Sequence, residues 1–533
     1  MFLLCYLENT IWAAAHASLW MDEVLSVWTI RLGSPRAIYS ALARGSEPSP
    51  PLFHLIQLYF TKIAGSSYLA YRLPSIFAVL LTGACTLVLV RRYLGLAPAL
   101  LASCLVIDGL RPYALQVRAY ALTTTCFAAA LLLWDRLDRP GSLLWRQVLI
   151  ALLLAMAIAL HFYSVLYVVC FGWLELLYEI VHRKFRLGVW IALFVGGASV
   201  FLWLPLIHVI NRYNVLDISS PFYFALPTLR GLVRSYSDSM FESPIDIDIF
   251  FAVLALFAAA SLTRFLGPVN EKERRDRFSP LAFLAIALLP FLLHRFVLKR
   301  VDARPILLAL IFIGAIVRLR SRQGEGFAGK KFKTPSSFII MFFAVACLPL
   351  ITFLFSLFVS HGYNTRYILP VIIGTCAATA VLFAFSTTFV RVAPAALLIV
   401  ALATLAHRKP TRGDVDTSNL FRYNTGHDPI VIADAPAFFS FEEKSSPAFH
   451  DRLVFLTGQP EPDPTAEHEL ERWKIINPSL PIYPVTDFLA SHPHFYVLDK
   501  SSQTHLITGY LLARHLITPV SRSGDSELYT STN

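Results

Sequence analysis

The chain has 533 residues, 56% hydrophobic and 15% charged, with a formal net charge of +11 and a mean hydropathy of +0.58. So much apolar surface cannot be hidden inside one soluble core, and lipid must solvate a large part of it. The positive charge sits in short connections between apolar runs rather than on one face, so nucleic acid is set aside as a partner.

Taken in chain order, runs long enough to cross about 30 Å of hydrocarbon lie near 72–90, 96–112, 119–134, 148–163, 164–181, 188–208, 248–263, 280–297, 305–317, 338–360, 367–388 and 393–407. A poorer run over 2–20 opens the chain and holds Glu8, Asn9 and His16. It lacks a basic leader and a cleavage signal, and reads as a true first helix whose start is cut short at Met1. The fold class is therefore a polytopic α-helical membrane protein with about 13 spans. The connections at Arg91–Arg92, Arg136–Arg146, Arg183–Arg186, Arg264–Arg277 and Arg318–Lys333, with Arg391, carry roughly twenty Lys and Arg, about twice the number in the alternate loops. They are assigned to the cytoplasm; Lys299, Arg300 and Arg304 run against the count.

With that orientation the loop 18–71 and everything after about 408 face the extracytoplasmic side. The chain divides into a transmembrane domain, 1–407, and an extracytoplasmic carboxyl-terminal domain, 408–533. The latter opens at HRKPTRGD and alternates β-like runs (Ile430–Ala433, Leu453–Leu456, Phe495–Leu498) with helix-like stretches, as a small α/β domain does. The seven cysteines, Cys5, Cys85, Cys104, Cys126, Cys170, Cys347 and Cys376, all fall in apolar segments and imply no disulfide framework.

The loop 18–71 is the informative region. After Asp22 and Glu23 the residues Val24, Leu25, Trp28 and Leu32 share one face at helical spacing, as in a helix lying in the membrane interface. Pro51–Ala64 is apolar nearly all round but only about 21 Å long, short for a span. An acidic pair at a helix start can simply answer the helix dipole. Here it keeps company on the same side with Glu47 ahead of Pro50-Pro51, with Tyr71-Arg72-Leu73-Pro74-Ser75 and with Gln116-Val117-Arg118-Ala119-Tyr120.

SLWMDE, the acidic residue before PPLFH, YRLPS and QVRAY, in that order, resemble the amino-terminal half of the GT-C glycosyltransferases, in the branch of the protein O-mannosyltransferases and lipid A aminoarabinose transferases. Further along, Ala159–Tyr163 (ALHFY) and Tyr363–Pro370 (YNTRYILP) extend the likeness. The resemblance implies an enzyme that takes a sugar from a polyprenyl-phosphate carrier and transfers it, with inversion, to a glycan, lipid or protein acceptor outside the cytoplasm. It implies Asp22 as the catalytic base and Glu47 as the second loop carboxylate, although Ser49 and Pro50 alter the usual spacing. Glu23, Arg72, Arg118, Tyr120, His161, Arg366 and Tyr367 are the candidate substrate-binding residues, with Arg118 and Arg366 suited to a phosphate. Arginines at span ends also snorkel to headgroups, tyrosines there also form aromatic belts, and His54 and His161 also suit a packed core. No HExxH or paired-cysteine spacing occurs, so no cofactor is assigned; some family members use a divalent metal, and the sequence leaves that open. A transporter or flippase of lipid-linked sugars is the alternative, and a receptor or scaffold a third, but neither accounts for acidic residues gathered in one loop.

Overall fold

The computed structural model describes residues 1–138, 143–218, 226–238, 336–384, 397–399, 426–444, 447–458, 464–500, 506–523 and 526–532. The expected spans at 248–263, 280–297, 305–317 and most of 393–407, the connections between them, the Arg391 position and the start of the tail lie outside the described residues. The first part of the chain is helical: α1 Phe2–His16, α2 Met21–Arg31, α3 Pro35–Leu42, α4 Leu52–Ala64, α5 Tyr68–Leu94, α6 Leu96–Gly109 and α7 Arg111–Ala114. There follow α8 Tyr120–Trp134, α9 Leu143–Leu160, α10 Val165–His182, α11 Leu187–Ala198, α12 Leu204–Ile218 and α13 Leu229–Asp238, and later the helices Ser336–Ala346, Leu348–Phe355 and Val371–Phe383.

Among the described residues, five helical stretches are long and apolar enough to cross a membrane: Tyr68–Leu94, Leu143–Leu160, Phe162–His182, Leu187–Arg212 and Ser337–Ser360. Leu96–Gly109, Tyr120–Trp134 and Val371–Val381 are shorter apolar helices. The long stretches turn large apolar side chains outward, with Leu144 71%, Phe194 74%, Leu202 74% and Phe358 78% exposed. Water would not tolerate so continuous an apolar exterior, whereas hydrocarbon favours it, so this is an integral membrane protein.

By contact the chain forms two compact units, Met1–Trp12 with Arg72–Leu202 and Phe224–Arg408, and Ala13–Tyr71 with Trp203–Tyr223 and Lys409–Asn533. In the first, helices approach closely through small residues. A Cβ placed on Gly83 would meet the Ile107 side chain at 2.4 Å, and the Ser103 hydroxyl donates to the Gly83 carbonyl at 2.8 Å, so only glycine lets α5 and α6 touch here. Asn9, fully buried in α1, accepts from Arg111 Nη2 at 2.9 Å. Glu175, 0% exposed, takes Trp134 Nε1 at 2.8 Å and Arg186 Nε at 2.7 Å. Arg186 also lies 3.7 Å over the Tyr178 ring, and Tyr178 donates to Asp138 at 2.7 Å. Arg92 and Tyr93 both bond Asp135. A buried carboxylate is tolerable only with such partners, and these pairs fasten the connections that the sequence assigns to the cytoplasm.

The second unit is built on a six-stranded sheet, in the order β3-β2-β1-β4-β6-β5. Its strands are β1 Ile430–Ile432, β2 Leu453–Thr457, β3 Ile482–Pro484, β4 Tyr496–Lys500, β5 Ile517–Ser523 and β6 Ser526–Ser531. Neighbours among β1 to β4 run parallel and β6 runs antiparallel to both β4 and β5. Three strands fall where the sequence shows β-like runs; all five residues of β2 are buried, as expected of an unbroken apolar run covered by helices. β3 ends on Pro484, and the β5 register shifts between Pro519 and Ser521.

The residues 13–71 belong to this same unit. α2, which the sequence lays in the membrane interface, is instead buried nearly all round: Glu23, Val24, Leu25, Ser26, Val27, Thr29 and Ile30 are inside. Its remaining aromatic, Trp28, meets Phe439 at 5.3 Å and Trp473 at 5.2 Å. Helical spacing alone shows one apolar face and cannot tell a lipid headgroup layer from a protein surface covering it.

Candidate active site

Two groups of expected residues take shape, one in each unit. In the second unit, α2 begins after Trp20, whose backbone N–H donates to Glu23 Oε2 at 3.0 Å. Glu23 is 1% exposed and so serves the first turn as the reaching-back half of a capping box. Asp22 stands one residue earlier, half-buried at the same helix start. The two carboxylates therefore differ in burial: Glu23 is buried and engaged by backbone, and Asp22 is half-buried.

Glu47 is 3% exposed and sits 2.8 Å from His54 Nε2, while the Ser26 hydroxyl lies 3.1 Å from both of its oxygens. Ser26 comes from α2 and His54 from α4, so Glu47 ties the two helices together. His54 is 0% exposed, and its Nδ1 is buried without a hydrogen-bond partner. The imidazole accordingly carries its proton on Nε2 and donates to the carboxylate, since a second proton on Nδ1 would be an unsatisfied buried donor. His54, which the sequence reads as a hydrogen-bonded core or interface residue rather than a ligand, belongs to this network.

In the first unit, the Ser75 hydroxyl of the YRLPS segment donates to the Gln116 carbonyl at 2.9 Å, holding the turn that precedes α8. This turn sets Arg118 with its guanidinium carbon 5.8 Å from the Tyr120 ring centroid. Arg366, from the 3-10 turn Thr365–Ile368, lies 5.9 Å from the same ring. His161 packs on Tyr120 at 5.3 Å and on Tyr367 at 5.3 Å, and Tyr163 stacks on Tyr367 at 3.9 Å with an interplanar angle of 13°. Five expected residues, Arg118, Tyr120, His161, Arg366 and Tyr367, thus converge from three distant stretches of chain. Tyr163 joins them unforeseen, although it lies in the quoted ALHFY stretch. Arg72 differs from the other two arginines in being 1% exposed, inside α5.

Arg118 and Arg366, both half-buried, approach one tyrosine ring within cation–π range, and arginine's planar fork suits a phosphate. Among the described residues no three His, Cys, Asp or Glu side chains come together as a cation site.

No family model matches the chain, and none of the curated proteins matches it. Among solved structures it is similar to ArnT from Cupriavidus metallidurans in the apo state, at 13% identity and a TM-score of 0.43, over 99% of this chain and 97% of that one. The same protein bound to undecaprenyl phosphate gives 14% identity and 0.43. An oligosaccharyltransferase from Archaeoglobus fulgidus gives 10% identity and 0.46, over 94% of this chain and 68% of that one.

Proposed function

We propose that the chain is a membrane glycosyltransferase that moves a sugar from a polyprenyl-phosphate donor to an acceptor hydroxyl or amine on the extracytoplasmic side, with inversion. The observation that supports it most is the convergence of Arg118 and Arg366 on Tyr120, a cationic, aromatic-floored place for a lipid phosphate. The order of the loop motifs supplies the reaction class. In the proposed step Asp22 takes the proton of the attacking group, the new bond forms at the sugar C1, and the C1–O bond to phosphate breaks with its electron pair leaving on phosphate. Arg118 and Arg366 stabilise that developing charge, which grows in the transition state and so accelerates the step. Tyr120, His161 and Tyr367 shape the floor. Glu47 is the second carboxylate, fixing the loop that carries Asp22, and Glu23 secures the first turn of α2.

The test uses the purified full chain in lipid nanodiscs, with a panel of undecaprenyl-phosphate-linked pentoses and hexoses and an envelope extract as acceptor. Acceptor-dependent release of free undecaprenyl phosphate is expected. Movement of the lipid-linked sugar between leaflets with no release would point to a flippase and overturn the proposal.

A further inference from the structure

The tail does more than sit beside the loop 13–71. Its helix Pro464–Ile476 contributes Trp473, 2% exposed, which touches two separate parts of that loop. The Trp473 ring packs edge-on against Trp28 of α2, at 5.2 Å and 75°. Its Nε1–H donates to the carbonyl of Ser46 at 3.2 Å, the residue immediately before Glu47. Glu47 in turn accepts from Ser26 of α2 at 3.1 Å. The contacts close a ring: α2 through Ser26 to Glu47, through the Ser46 peptide to Trp473, and through Trp28 back to α2. A second fastening lies one turn along α2, where Arg31 donates from both terminal nitrogens to Glu443, at 2.7 and 2.6 Å, on the helix Ala435–Lys444 that also supplies Phe439.

Trp28 is six residues from Asp22, about 9 Å along a helix of 1.5 Å rise. A helix of 11 residues moves as one piece, so a shift at its Trp28 end is transmitted to Asp22 at the other. The same indole sets the backbone ahead of Glu47. We infer that Trp473 is a positioning residue: through it the carboxyl-terminal domain fixes the relative placement of the Asp22 and Glu47 carboxylates. This rests on the reading of those two residues given above. Simple coverage of an apolar patch would need the ring alone. The N–H donated to the Ser46 carbonyl is the part that coverage does not require, and it is what the test isolates.

The experiment uses the full chain and needs no identified acceptor for its first measurement. A water-soluble carbodiimide with an amine tag reports, by mass spectrometry, how accessible each carboxylate is. In the parent protein Asp22 is tagged and Glu47 is protected. Trp473→Phe keeps a ring against Trp28 and removes the donor; tagging of Glu47 is expected to rise at least about fivefold through local opening. Turnover of the undecaprenyl-phosphate sugar is expected to fall about ten- to a hundredfold at unchanged donor KM, as misplacement of a catalytic group produces. Hydrogen exchange of β1, β2 and β4 stays at the parental level. Trp473→Ala repeats the pattern more strongly, and Tyr529→Phe, elsewhere in the tail, leaves both readouts alone. Parental tagging and turnover in both Trp473 variants would overturn the inference. So would loss of protection across the strands in step with turnover, which is the mark of a tail that has merely unfolded. Should Asp22→Asn and Glu47→Gln both keep full turnover, the transferase reading of the carboxylates fails, while the tagging still decides whether Trp473 holds Glu47 in place.

Discussion

Replacing Asp22 by Asn separates chemistry from helix construction. Asp22 is the second residue of α2, and the backbone N–H of Trp20 is already taken by Glu23, so Asp22 is not the residue that caps the helix. Its carboxylate at the first turn also meets the helix dipole, a contribution of about 0.3–1 kcal/mol. Even if all of that reached the transition state, the loss would be about fivefold at most. A general base contributes about 10²–10⁴, and Asn keeps the shape while giving up proton acceptance. The two roles therefore predict ranges that do not overlap. The assay is release of undecaprenyl phosphate under saturating donor, alongside thermal unfolding to confirm that the fold is kept. Glu23→Gln is the control, because its amide oxygen still accepts from Trp20; turnover within about threefold of the parent is expected for the loss of a charge alone. An Asp22→Asn protein working within fivefold of the parent would refute the assignment of the base.

Arg118→Ala and Arg366→Ala are each expected to weaken donor binding by about 1.5–3 kcal/mol, the value of a hydrogen bond to a charged group, with non-additive loss in the double variant because both serve one phosphate; additive, small changes in donor KM would count against a shared anion. His54→Leu should destabilise the loop and cut turnover, by about 1.5–3 kcal/mol for the lost donor to Glu47, whereas His54→Gln, which keeps a donor near the Nε2 position, should recover much of both; a Gln variant no better than Leu would deny the Nε2–H tautomer. In the tail, burial pushes the Glu442 carboxyl up, opposed by His450 at 3.5 Å and reinforced by Glu443. A raised folded-state value means that Glu442 favours the folded tail below the ordinary glutamate range and loses that contribution as pH rises through the raised value. Thermal unfolding of the full chain should thus show a stability gain on acidification over that interval, absent in Glu442→Gln, and an unchanged slope in the variant would contradict it.

The apolar runs were plain in the sequence because lipid demands uninterrupted hydrophobicity, and the helices Tyr68–Leu94 and Phe162–His182 lie where those runs do. Two starts were plain too, since Arg118 and Arg366 directly precede the runs at 119–134 and 367–388, whereas the run at 148–163 passes through His161 and the helix stops at Leu160. What the sequence could not show was which ends meet: Tyr163 stacking on Tyr367 pairs residues some two hundred positions apart, and nothing in periodicity encodes such a distance. The Glu47–His54 bond was hidden for a different reason. A histidine seven residues from a carboxylate, with a proline turn between them, is ordinary until the chain is folded. Trp473 was less legible still, in a polar helix whose composition signals only a solvated surface. The sheet shows the same division, for β1, β2 and the first half of β4 are apolar, while β5 and β6 are mixed in polarity and are placed by their pairing, β6 with β4 and β5 with β6.

The two outermost strands of the tail sheet bear on how an acceptor could be recognised. Peptides commonly attach to a domain by extending its sheet, which requires a free row of N–H and C=O groups along an edge. At one edge β3 spans only three residues and ends on Pro484, which has no N–H to offer. At the other, β5 carries Pro519 and a register break two residues on. Among the described residues both margins disfavour an added strand, a device that also discourages edge-to-edge association between copies. Recognition there falls to the side chains of loops and helices rather than to a backbone ladder. A glycan or a lipid headgroup, which has no such ladder to give, loses nothing by this arrangement.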